Sequence, residues 1–119
     1  MSSFDIRCGD AIDLIKDIPD NSVNLIIADP PYNLGKDYGN NHDLKGFEEY
    51  LDFTNRWVSE AKRPLTEDGT IYVFMGVRFI SYLYDILDRK NGLYFNSWSV
   101  WHYTQAAPYH YRSHMSRGK

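Results

Sequence analysis

Asp29-Pro30-Pro31-Tyr32 is the segment of this sequence whose residue types can do chemistry together. Two adjacent prolines fix φ at both positions and remove two backbone donors. Pro30 therefore presents a carbonyl with no N–H of its own competing beside it. The Asp29 carboxylate and that carbonyl form a pair of acceptors suited to a planar amino group with two hydrogens. Tyr32 adds a ring that can stack on the plane bearing the amine. A stiff turn capped by an aromatic residue accounts for the same four residues without any chemistry. What favours chemistry is the context: an apolar run before the segment and a long polar loop, Asn33 to Asp43, after it.

The apolar run is Val23-Asn-Leu-Ile-Ile-Ala28. Its branched and apolar residues predict a strand buried on both faces, as in a parallel sheet. An Asp directly after such a strand lies at the carboxyl edge, where open α/β sheets place their ligands. Around it the chain alternates. Phe4 to Cys8 reads as a short strand closed by Gly9-Asp10. Asp10 is positioned to cap a short helix carrying Ile12, Leu14, Ile15 and Ile18, which Pro19 ends. From about Lys45 to Leu65, Phe47, Tyr50, Leu51, Thr54, Trp57, Val58 and Ala61 recur at helical spacing, with Pro64 cutting the last turn. Glu67-Asp68-Gly69 turns the chain into a strand from Thr70 to Met75. A helix follows from about Phe79 to Arg89, ended by Asn91-Gly92, and Leu93 to Trp101 reads as a last strand. The order β-α-β-α-β-α-β predicts an α/β fold with a mostly parallel sheet joined by crossover helices.

A length of 119 residues suits one such domain. The single cysteine, Cys8, excludes an intrachain disulfide framework and a multi-cysteine zinc site, and within a strand it reads as a small buried residue rather than a nucleophile. His102, His110 and His114 have no spacing diagnostic of a metal, so none is expected. No apolar run approaches the roughly 18 residues of a membrane span. The first residues, MSSFDIRCGD, lack a basic-then-apolar leader, so a soluble cytoplasmic protein with no membrane partner is the default. The net charge of −3 is unevenly spread: all 16 acidic residues lie at or before Asp88, and Arg89, Lys90, Arg112, Arg117 and Lys119 follow it. That basic end also holds seven aromatic residues, from Tyr94 to Tyr111. Basic groups meet phosphates and aromatic faces stack on bases, although an aromatic strand with a polar tail fits the same composition.

Leu25-Ile-Ile-Ala-Asp-Pro-Pro-Tyr-Asn33 resembles the catalytic motif of DNA amino-methyltransferases. These methylate adenine N6 or cytosine N4 with S-adenosylmethionine. Ile6-Arg-Cys-Gly-Asp10 and Asp20-Asn-Ser-Val-Asn-Leu-Ile-Ile27 resemble the lead-in of the permuted class, in which the catalytic motif precedes the cofactor motif. Asp68-Gly-Thr-Ile-Tyr-Val-Phe74 is similar to the next core strand, and Trp98-Ser-Val-Trp-His-Tyr-Thr-Gln105 to the strand and loop beyond it. The resemblance implies a partial S-adenosylmethionine-dependent methyltransferase (Rossmann-like) fold over 1–105. It makes 106–119 a basic aromatic tail where a recognition region would begin. Of the four strands read above, it would make only Val23–Ala28 and Thr70–Met75 direct neighbours.

The resemblance also implies roles. Asp29, the Pro30 carbonyl and Tyr32 would hold and stack a base flipped out of double-stranded DNA. Asp10 and Asn33 would line the cofactor site, with a helix cap explaining Asp10 equally well. Lys36, Arg112 and Arg117 would contact DNA, and Lys36, Tyr38 and His42 share a loop that could close over it. An Asp at the first motif position favours adenine over cytosine N4. The family's glycine-rich cofactor motif does not occur in these residues, so the chain is expected to be inactive alone and to need a complementing polypeptide or to self-associate through open sheet edges. The competing readings are a cytosine-N4 enzyme, transfer to RNA or to a protein amide, and a non-catalytic DNA-binding or assembly fragment.

Overall fold

The computed structural model describes residues 3–33, 46–102 and 104. In chain order the elements are α1 (Ala11–Leu14, continued by a 3₁₀ turn, Ile15–Asp17), β1 (Val23–Ala28), α2 (Phe47–Lys62), β2 (Leu65–Val73) and α3 (Ile80–Asp85, continued by a wider π turn, Ile86–Lys90). Asp10 caps α1 by accepting from the Ile12 N–H at 2.9 Å. α2 buries Tyr50, Thr54, Val58 and Ala61, a single stripe at helical spacing. Glu48 and Glu49 stand in its first turn and Lys62 in its last, matching the helix dipole. The buried Thr54 hydroxyl is satisfied by the Tyr50 carbonyl one turn back, at 2.8 Å. Gly92, at φ 68°, takes the left-handed conformation that closes the helix ending at Lys90, and its N–H reaches the Asp88 carbonyl at 2.8 Å.

β1 and β2 pair in parallel, as the α/β reading requires. The register runs Leu25 to Thr70, Ile26 to Ile71, Ile27 to Tyr72 and Ala28 to Val73. Val23 is opposite Leu65, so two steps along β1 match five along β2. The expected Glu67-Asp68-Gly69 turn is thus absorbed as a bulge inside β2 rather than preceding it. Gly69 leaves room there for Leu65 and Thr66: a Cβ would lie 2.7 Å from Leu65 Cδ1, so a larger residue would have to push these side chains aside. At the foot of β1 the Ser22 and Val23 N–H groups both donate to the Pro64 carbonyl, at 2.8 and 2.9 Å. Arg63 adds bonds to the carbonyls of Ile15 and Ile18, each 2.8 Å, and pairs with Asp20. One arginine therefore ties the end of α2 to the segment leading into β1.

Residues paired in a parallel ladder share a face. Val73 packs, with Met75, Ile80, Leu87 and Leu93, against the buried Val58, Leu83 and Ile86 of the helices. The opposite face carries Leu25, Ile27 and Tyr72, which are 52%, 64% and 58% exposed. The expectation that β1 is buried on both faces is therefore corrected: only one side of the sheet is covered. Replacing Ile27 by threonine is expected to cost no more than about 0.5 kcal/mol in urea unfolding of this chain. An isoleucine buried on both faces would give roughly 1.5–3 kcal/mol.

The two outer strands also differ from expectation. Residues 3–8 and 93–101 form no ladder, and Phe4, Ile6, Tyr94 and Val100 are all more than 80% exposed. Cys8 is exposed as well, not buried in a strand. The reason is hydrogen bonding. A strand without a neighbour leaves every N–H and C=O to water, and the segment gains nothing from extended pairing. Among the described residues, the strands that form are the two that the resemblance made direct neighbours. The aromatic segment instead lies against side chains, with Phe95 5.1 Å from Tyr84 and Trp101 5.5 Å from Phe74, ring to ring.

Candidate functional site

The last rung of the ladder is the Phe74 N–H donating to the Ala28 carbonyl at 2.9 Å. One residue later the chain leaves the carboxyl edge of the sheet at Asp29. Asp29 is exposed, Pro30, Pro31 and Tyr32 are half-buried, and Asn33 is 7% exposed. Asn33 adopts φ 59°, a left-handed conformation that asparagine tolerates better than most residues.

Two side chains of the segment meet. The Tyr32 hydroxyl donates to Asp29 Oδ1. Among the described residues no hydrogen bond uses Asp29 Oδ2 or the Pro30 carbonyl. The segment therefore keeps two acceptors on neighbouring residues, with a tyrosine ring held beside the carboxylate.

The loop is held from behind. Tyr50, in the first turn of α2 and 1% exposed, donates its hydroxyl to the Pro31 carbonyl at 2.5 Å. Its oxygen also lies 3.3 Å from the Met75 sulfur. The Tyr50 ring packs 4.6 Å from the ring of Phe79, itself 1% exposed, and 6.1 Å from Phe53. On sequence Tyr50 reads only as one more residue of an apolar helix face. The available signal is negative: a Pro-Pro loop has no N–H at either proline, so a donor tying it down must come from elsewhere in the chain.

Asp10 is on another element. It is exposed and spends Oδ1 on the α1 cap, and among the described residues no hydrogen bond joins it to the Asp29 segment. The 3₁₀ turn after α1 is bound to Arg63 at the foot of β1, and Asp10 begins the helix at its other end. Lys36, Tyr38, His42, Arg112 and Arg117 lie outside the described residues. Of the basic end, Arg89 is paired with Asp85 at 2.6 and 2.8 Å. The guanidinium bond holds the Asp85 carboxyl below its ordinary range. No helix among the described residues is long and apolar enough to cross a membrane, and none of their His, Cys, Asp and Glu side chains cluster in threes that could hold a metal.

The site is an Asp-Pro-Pro-Tyr segment at the carboxyl edge of a parallel α/β sheet, and comparison with known proteins gives the family. The DNA methylase family model matches residues 23–118, and the chain belongs to that family. It is 53% identical over 98 residues to the type II methyltransferase M.HpaI of Haemophilus parainfluenzae, covering 82% of this chain and 31% of that protein. It is 37% identical to the type II methyltransferase M.BamHI of Bacillus amyloliquefaciens, covering 76% of this chain and 21% of the relative. The DNA adenine methyltransferase YhdJ of Escherichia coli is 33% identical, over 69% of this chain and 28% of the relative. The chain thus spans less than a third of the length of each of these three relatives.

Proposed function

We propose that this chain supplies the amine-holding part of an adenine-specific DNA methyltransferase. The observation that carries the reading is the Asp29–Tyr32 pair at the carboxyl end of β1, with no hydrogen bond to Asp29 Oδ2 or the Pro30 carbonyl among the described residues. A base in a duplex is out of reach of such an edge, so the target is flipped out of the stack. Asp29 and the Pro30 carbonyl then accept the two hydrogens of the exocyclic amine and aim its nitrogen lone pair away from the sheet. Tyr32 gives up its bond to Asp29 as the amine arrives and turns its ring onto the base, a contact worth about 1–3 kcal/mol in single-strand binders. The chain's contribution is positioning and electrostatics. After transfer the nitrogen is acidic, and Asp29 is the adjacent acceptor for its proton.

S-adenosylmethionine, when bound, supplies an electrophilic sulfonium methyl group, so no covalent enzyme intermediate is needed. Asp10 and Asn33 are the residues that would hold that cofactor, by hydrogen bonding. Asp10 retains a carboxylate oxygen beyond its cap bond, able to accept from an amine or ribose hydroxyl, and Asn33 is a buried polar residue directly after the Asp-Pro-Pro-Tyr segment. Lys36, Arg112 and Arg117 are the proposed DNA contacts. The apolar face of Leu25, Ile27 and Tyr72 is where a complementing polypeptide, or a second copy, is proposed to pack. Adenine is favoured over cytosine N4 by the Asp at the first motif position and by the likeness to a relative named a DNA adenine methyltransferase.

Labelled-methyl transfer to unmethylated DNA tests this. The purified chain alone is expected to give no turnover. A polypeptide patterned on the remaining length of the Haemophilus relative, added to it, is expected to restore transfer, with N6-methyladenine as the product. N4-methylcytosine would replace the adenine assignment with the cytosine one. Methylated RNA or protein, or no methylated product from the complemented pair, would overturn the reading.

A further inference from the structure

We infer that Tyr50 is a positioning residue for methyl transfer, fixing the direction of the Pro30 carbonyl through its bond to the Pro31 carbonyl. The chemical consequence rests on the proposed function; the mechanical one does not. A loop is ordinarily tied to its scaffold by its own N–H groups as well as its carbonyls. Pro30 and Pro31 have none, so the backbone of these two residues can be tied only by donors brought to their carbonyls. Tyr50 brings one to Pro31 at 2.5 Å.

The geometry carries that restraint one residue back. The ring of Pro31 locks its φ, and the peptide between Pro30 and Pro31 is planar, so the Pro30 C=O lies in a plane rigidly joined to the Pro31 ring. Holding the Pro31 carbonyl restrains the remaining torsion, ψ of Pro31. The Pro30 carbonyl, which belongs to the amine-holding pair, is then aimed by a residue that never touches substrate. Tyr50 suits the task because it cannot easily move. It is 1% exposed on a sixteen-residue helix, with its ring against Phe79 at 4.6 Å. Met75 Sδ, 3.3 Å from the hydroxyl, is a much weaker acceptor and leaves the carbonyl as the preferred partner.

Tyr50→Phe keeps the ring and removes the hydroxyl. In the 119-residue chain, labelled with ¹³C at proline carbonyls and tyrosine rings, the variant is expected to melt cooperatively as the wild type does. Its Pro31 carbonyl resonance should move upfield on losing a donor, and the Tyr32 ring signals should broaden. Phe79→Leu is the comparison: it weakens the same packing but retains the hydroxyl, and should leave the Pro31 resonance in place. In the complemented enzyme, Tyr50→Phe should lower kcat about 10- to 100-fold with the cofactor KM unchanged, the signature of a misaimed amine. An unmoved Pro31 resonance in Tyr50→Phe overturns the inference. So does a loss of kcat that follows stability equally in both variants. If the complemented wild type transfers no methyl group, the proposed function fails, and the carbonyl resonance still decides whether Tyr50 holds the loop.

Discussion

Asp29→Ala is expected to lower methyl transfer by the complemented enzyme about 100- to 1,000-fold, the range seen when one preorganised polar group is removed from a reacting centre. Alanine deletes both carboxylate oxygens: the one that holds Tyr32 and the one left for the amine. The amine then has one acceptor, the Pro30 carbonyl, and can rotate about that single bond. Its lone pair is no longer aimed, and nothing negative faces the nitrogen as it becomes positive. Asp29→Asn separates these effects. Its amide oxygen can still accept, from Tyr32 or from the amine, but the charge is gone. The asparagine variant should therefore lose less than the alanine one. Single-turnover transfer of a labelled methyl group measures the chemical step apart from product release. Because Asp29 is exposed and makes no bond beyond Tyr32 among the described residues, neither variant should shift the unfolding midpoint appreciably. A rate within a factor of about two of wild type in Asp29→Ala would reduce the segment to a stiff turn.

The parts of this fold legible in the sequence are those whose signal is local. Asp10 before an apolar turn is a cap wherever the helix goes, and Pro64 ends α2 because it cannot donate one turn back. Val23–Ala28 and the end of β2 are branched, apolar and long enough to pair. Two kinds of feature were not legible. Phe4–Cys8 and Leu93–Trp101 have strand-like composition, but a strand exists only through its neighbour, and composition does not show whether the neighbour is there. The same blindness hid the exposure of Leu25 and Ile27, since an apolar run reads identically whether one face is covered or two. The second kind is the bond between residues remote in sequence. Asp29 and Tyr32 are three apart and suggest one another, whereas Tyr50 lies 19 residues from Pro31 and carries no pattern except that of a buried helix face.

Phe79→Ala is expected to be the most destabilising single change in the described residues, at about 3–5 kcal/mol. Phe79 is 1% exposed and sits where three aromatic side chains converge, with ring centres 4.6 Å from Tyr50, 5.7 Å from Phe47 and 6.4 Å from Tyr82. The Arg78 guanidinium lies 5.4 Å from its ring centre. Its backbone begins α3: the Phe79 carbonyl accepts from the Leu83 N–H at 2.9 Å, and its N–H donates to Gly76 at 3.2 Å. Removing the ring leaves a cavity walled by side chains from α2 and α3 that cannot collapse without tilting one helix against the other. Domains of this size have only about 5–15 kcal/mol in total, and with one sheet face uncovered this chain belongs near the lower end, so Phe79→Ala should be largely unfolded at 37 °C. Phe79→Leu fills most of the space and should cost less than about 1.5 kcal/mol by urea denaturation. The cluster thus supports the site at one remove: Phe79 fixes the Tyr50 ring, and the Tyr50 hydroxyl fixes the proline loop. An alanine variant within about 1 kcal/mol of wild type would mean that the ring contacts do not hold Tyr50, and the loop would then need another anchor.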